Sequence, residues 1–130
     1  MHAGNPDEIE RGFEKMKQDG VNAAILATDS LWALQRRQIA QLALKHRLAT
    51  INVDGLFVEA GGLLSYGTNI ADSYRRAATY VDKILKGARP GDPPIEQPTK
   101  FNLVINRRTA KALGLTIPQE LLLRADLIID

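Results

Sequence analysis

The sequence predicts an α/β fold, a parallel sheet with flanking helices, and two observations carry that reading. A short continuous apolar run at residues 21–27, centred on Ala-Ala-Ile-Leu-Ala, has the character of a strand covered on both faces, and residues 48–53 read as another strand. Around them lie longer segments whose apolar residues recur with the helical period. Strand, helix, strand at this spacing is a βαβ unit, which predicts parallel strands joined by a right-handed crossover.

Each element has a local reason. Asn5-Pro6-Asp7-Glu8 reads as a helix start: Asn5 caps, Pro6 suits the first helical position and Glu8 sits where a capping-box acid belongs. The helix over residues 6–18 ends at Asp19-Gly20, where glycine accepts the left-handed conformation. A second helix is predicted over 31–47, with Leu31, Trp32, Ile39, Leu42 and Ala43 within an arc of about 120° that faces the core. Gly61-Gly62 breaks the chain before a short strand at 63–66. Asn69 caps a helix reaching Lys86, whose apolar positions, Ile70 to Leu85, form one stripe of about 120°. Gly87 stops it, and Pro90, Pro93, Pro94 and Pro98 then describe an extended connector. A strand follows at 101–105, Asn106 caps a short helix ended by Gly114, and Thr116-Ile-Pro-Gln opens the last helix.

With 130 residues the chain has material for one core. Its 45% hydrophobic and 25% charged content is that of a globular domain. Seventeen basic against fifteen acidic residues leave a net charge of +2, too even to indicate a nucleic-acid partner. The pairs Arg36-Arg37 and Arg75-Arg76 lie on polar helix faces, and Arg107-Arg108 is a third pair. Solvated faces are their commoner role. The absence of cysteine excludes disulfides and thiolate metal sites. His2 and His46 form no metal motif. Neither a nucleophile–base arrangement nor a carboxylate pair in an apolar setting is present, so the sequence points away from an enzyme and calls for no cofactor or metal. No apolar run approaches the roughly 18 residues of a membrane span, and no secretory signal follows Met1.

Asp29 and Ser30 stand between a buried strand and a helix. In open α/β sheets ligands bind outside the carboxyl ends of strands, so Asp29 is placed to accept a ligand ammonium or hydroxyl. Either residue equally serves as a plain helix cap. Trp32, the only tryptophan, suits stacking on a planar ligand, although a tryptophan on an apolar stripe is more often core. Asp54 and Phe57 occupy the loop after the next strand and are candidates on the same argument. The glycines at 61, 62 and 67 lack the Gly-Lys-Ser/Thr ending of a phosphate loop, and mark a flexible break instead.

Four blocks in order, GGLLSYG at 61–67, YRRAATYVDKILKG at 74–87, EQPTKF at 96–101 and AKALGLTIP at 110–118, resemble the C-terminal portion of the substrate-binding components of bacterial ABC transporters. A weaker match runs back through Ala27-Thr28-Asp29-Ser30 to residue 7. The nearest branch includes receptors proposed for aromatic amino acids. The resemblance implies part of a type I periplasmic-binding-protein-like fold, with two lobes and a chain more than twice this length. It assigns residues 1–60 to one lobe, 61–95 to a segment of the other, and 96–130 to the hinge and the first lobe again. It puts a ligand-contacting polar residue at Asp29 and places Ser65, Tyr66 and Gly67 at the cleft rim or hinge. Ala49 stands where the family usually has proline, and Asn52 near its usual tyrosine.

The implied function is a receptor that traps a small solute, an amino acid being one candidate, by lobe closure and delivers it to an ABC permease. The implied location is the periplasm for the full-length protein, and the cytoplasm for the chain expressed as given. A sheet cut partway leaves an unpaired edge, so the chain is expected to form a homodimer or larger homo-oligomer. The alternative is a cytoplasmic ligand-sensing or self-assembling domain on the same scaffold.

Overall fold

In the computed structural model, which describes residues 3–27 and 29–130, the chain enters helix α1 (Pro6–Gln18) through Asn5. Asn5 Oδ1 accepts the Glu8 N–H at 2.9 Å, and Glu8 Oε2 accepts the Gly4 N–H at 2.7 Å. Cap and acid thus satisfy donors that the helix cannot. Ile9 and Phe13, one turn apart, are its buried face. Gly20 at φ 73° then turns the chain toward β1 (Ala23–Ile25).

Strand β1, helices α2 (Ser30–Leu34) and α3 (Arg36–Lys45), and strand β2 (Ala49–Asn52) complete a βαβ unit. Ala23, Ala24 and Ile25 pair in parallel with Ala49, Thr50 and Ile51. The single helix predicted over 31–47 is divided at Gln35, where ψ of 17° ends α2 and Arg36 turns back to donate to the Ala33 carbonyl at 2.7 Å. Helix α3 leaves through Arg47 at φ 55°, with the Leu48 N–H bonding back to the Ala43 carbonyl at 2.8 Å. That is a Schellman closure in which arginine occupies the usual glycine position.

Helix α4 (Gly55–Glu59) leads to β3 (Leu64–Thr68), which pairs in parallel with β2 through Ile51–Leu64 and Asn52–Ser65. Two glycines fit this packing. A Cβ on Gly62 would overlap the Phe57 ring, and one on Gly67 would overlap the Val53 carbonyl. Strand β4 (Phe101–Asn106), α6 (Arg107–Leu113), α7 (Gln119–Arg124) and β5 (Leu127–Ile129) finish the sheet, in the order β1-β2-β3-β4-β5. Strands β4 and β5 are parallel. The Asn106 N–H donates to the Leu63 carbonyl at 2.9 Å, so β4 ends beside the start of β3 and runs against it. The sheet is therefore mostly parallel but mixed.

The chain divides into two compact units. One comprises residues up to Gly67 and Asn102–Asp130, the other Thr68–Phe101. In the first, Ile9, Phe13, Leu26, Ile39, Leu42, Leu48, Phe57, Val58 and Val104 form the core. The opposite face of β1 is open: Ala23 and Ile25 are exposed, Ile25 by 87%. The apolar run at 21–27 had implied cover on both faces, and only one is covered, because the helices around the core supply a single layer there. The second unit holds α5 (Ile70–Leu85), capped by Asn69, and the connector beside it. Tyr80 Oη donates to the Pro94 carbonyl at 2.6 Å, and Arg76 lies 3.8 Å from Glu96. No residue of α5 is buried, so its apolar stripe meets solvent, with Tyr74 74% and Leu85 83% exposed. The boundary at Gly67 falls inside β3, whose residues 64–67 lie in the first unit.

Candidate functional site

At the carboxyl ends of β1 and β2 the chain builds the same device twice. Asp29 is the N-cap of α2, its Oδ1 accepting the Leu31 N–H at 2.8 Å. Asp54 is the N-cap of α4, its Oδ1 accepting the Leu56 N–H at 3.0 Å. Both caps have extended backbone and an aspartate that presents its carboxylate at a strand–helix turn. Because β1 and β2 are adjacent and parallel, the two turns emerge side by side.

A shallow depression of about 30 Å³ lies between them. Its polar wall is Asp29, Asp54, Asn52 and Arg36, and its apolar wall includes Leu26, Trp32, Ile39 and Phe57. Trp32 packs partly on the core cluster, and Phe57 is 3% exposed, so the ring of Phe57 is floor rather than rim. A volume of this size admits a water-sized group, not a whole solute. Two carboxylates and one guanidinium against aromatic carbon give the depression complementary partners for an ammonium, a carboxylate and a planar apolar group.

The structure brings together Asp29, Trp32, Asp54 and Phe57 of the sequence candidates. Ser30 begins α2 and is exposed. Ser65 is 1% exposed, its side chain on the core side of β3, while Tyr66 on the other side is 52% exposed. Thr28 lies outside the described residues. Two wall residues were not anticipated. Arg36 reads in sequence as part of a solvated helix face, and only the break at Gln35 turns it toward Ala33. Asn52 was visible only as a departure from the family's usual residue.

Three other concavities differ in chemistry. A groove of about 430 Å³ along the open sheet face is walled by Ala23, Ile25, Ala49, Ile51 and Leu64, with almost no polar group to select a solute. A hollow of about 390 Å³ lies among Arg107, Arg108, Lys111, Leu115, Ile117 and Leu122, where Arg107 pairs with Asp130 at 3.1 Å. In the second unit about 270 Å³ is bounded by Thr68, Asp72, Arg76, Tyr80 and Lys100. Among the described residues no three His, Asp or Glu side chains are grouped to hold a metal ion, and no helix is long and apolar enough to cross a membrane.

A sequence profile described as ABC transporter substrate binding protein matches residues 1–129. The fold matches an ABC domain from Streptococcus pneumoniae, solved in complex with L-Trp, at TM-score 0.89 and 26% identity, over 99% of this chain and 43% of that one. A conserved domain protein from Vibrio cholerae matches at TM-score 0.88 and 24% identity, over 97% and 42%. A ligand-free, open substrate binding protein with adhesive properties from Clostridium difficile matches at TM-score 0.69 and 20% identity, over 98% and 42%. The chain thus spans less than half the length of these structures. No functionally curated protein matches it.

Proposed function

We propose that this chain, which belongs to the ABC transporter substrate binding protein family, supplies one wall of the solute site of an ABC import receptor. The observation that carries the reading is the pair of capping aspartates at adjacent strand ends, with Arg36 and Trp32 in the same depression. Opposite charges beside an aromatic ring suit a zwitterionic amino acid with a planar side chain. The L-Trp complex of the similar pneumococcal domain supports that class. Asp29 and Asp54 receive the ammonium, Arg36 the carboxylate, and Trp32 the planar group, with the exposed Tyr66 of β3 as a lesser candidate.

In this reading residues 1–60 belong to one lobe of the receptor, 61–95 to a segment of the other, and 96–130 to the hinge and the first lobe. Lobe closure traps the solute for a permease, and no covalent chemistry takes place. The full-length receptor works in the periplasm. A second reading, self-assembly of the chain as a homodimer, is favoured by the open apolar face at Ile25. A thermal-shift screen of amino acids, sugars and nucleosides on the full-length receptor tests the first reading, because a ligand that binds only the folded state raises its stability. The expected result is a shift with aromatic amino acids alone. A shift confined to sugars or nucleosides refutes the assignment.

A further inference from the structure

The two aspartates hold their places only if the loops that carry them do, and the backbone ladder does not extend that far. Among the described residues, the last β1–β2 bond of the main chain is Leu26 N–H to the Ile51 carbonyl at 2.9 Å. Beyond it a side chain takes over. Asn52 Nδ2 donates to the Leu26 carbonyl at 3.1 Å, and its Oδ1 accepts the Asp54 N–H at 2.7 Å. One part-buried amide therefore ties the exit of β1, which leads to Asp29 and Trp32, to the exit of β2, which begins with Asp54.

We propose that Asn52 is the positioning residue of this wall, setting the spacing of the Asp29 and Asp54 carboxylates through these two hydrogen bonds; this rests on the solute-binding reading above. The chemistry is selective. Among side chains of this size and shape only an amide both donates and accepts without charge. Aspartate at 52 keeps the acceptor for the Asp54 N–H but turns a repelling oxygen toward the Leu26 carbonyl. Leucine has neither function and leaves a carbonyl and an N–H without partners. Aspartate also adds a negative charge next to a site argued to hold an ammonium, so placement and charge act in opposite directions there. If charge alone governs the site, Asn52→Asp tightens binding. If position governs, it weakens it.

The test has two arms. Amide hydrogen exchange on the chain of 130 residues compares the parent with Asn52→Asp and Asn52→Leu. The expected result is exchange at least tenfold faster at Leu31 and Leu56, the amides capped by the aspartates, with α3 unchanged. Unchanged exchange at both amides in both variants overturns the proposal without a ligand. The second arm titrates L-tryptophan into the full-length receptor. Asn52→Asp is expected to weaken affinity tenfold or more while the unfolding temperature of the free protein stays within a few degrees of the parent. Equal or tighter binding by Asn52→Asp overturns the positioning role. Controls with Asp29→Asn and Asp54→Asn separate the two claims. If those also bind like the parent, the solute-binding reading itself fails; if they weaken and Asn52→Asp does not, only the role of Asn52 fails.

Discussion

For Asp29 the capping role and the proposed recognition role need not compete. Its Oδ1 caps α2, and a carboxylate has capacity for further donors. Asparagine caps as well as aspartate does but carries no charge. Asp29→Asn is therefore expected to change the stability of this chain by less than about 0.5 kcal/mol. The same substitution should weaken solute binding by the full-length receptor tenfold or more, about 1.4 kcal/mol, measured by calorimetry. A stability loss with unchanged affinity would make the residue a cap only. The caps Asn5, Asn69 and Asn106 and the turn at Asp29 were legible in the sequence, because each depends on a few neighbouring residues. The burial of Ser65 was not, since which side of β3 it takes is set by register against Asn52.

At the level of elements, strongly periodic helices were readable and the shortest elements were not. Residues 55–59 and 127–129 are too short to show a period, and β5 exists through its pairing with β4. The break at Gln35 also escaped, because the apolar stripe runs through it. Two junctions invite measurement. Arg47 holds φ 55° without the freedom of glycine. Arg47→Gly is expected to raise the free energy of unfolding by up to about 1 kcal/mol in denaturant titration; a decrease would mean that the arginine side chain makes a compensating contact. Asn106 is 5% exposed, caps α6 through the Thr109 N–H at 2.9 Å and donates Nδ2–H to the Val58 carbonyl at 3.2 Å. Asn106→Ala removes a cap and strands a buried carbonyl, so a loss of about 2–3 kcal/mol in denaturant unfolding is expected.

Across the whole molecule the sequence announced a parallel sheet with flanking helices, and the comparisons support that architecture, with β4 and β5 running against the other strands as the added detail. What the composition did not disclose is how much apolar surface stays open. Parallel strands are ordinarily covered on both faces. Here Ile25 on β1 and Tyr74, Val81 and Leu85 on α5 are more than half exposed. At about 25 cal/mol per Å², wetting a few hundred Å² of such surface costs several kcal/mol, which favours self-association. Sedimentation of this chain should therefore show a dimer or larger species. A stable monomer at high concentration would contradict this. With only about 30 Å³ in the proposed solute wall, the chain alone is also expected to bind no amino acid with submicromolar affinity, because a ligand wetted on its other side loses most of its burial.

The central claim is that the wall recognises a zwitterion beside a planar group. Calorimetric titration of the full-length receptor with L-tryptophan, its methyl ester and indole-3-propionate tests it most directly. The ester lacks the carboxylate argued to meet Arg36, and the propionate lacks the ammonium argued to meet Asp29 and Asp54. Both are expected to bind at least tenfold more weakly than L-tryptophan, roughly the loss of one charge-assisted hydrogen bond. Binding of indole-3-propionate as tight as that of L-tryptophan would contradict the account, since the two aspartates would then have no cation to hold.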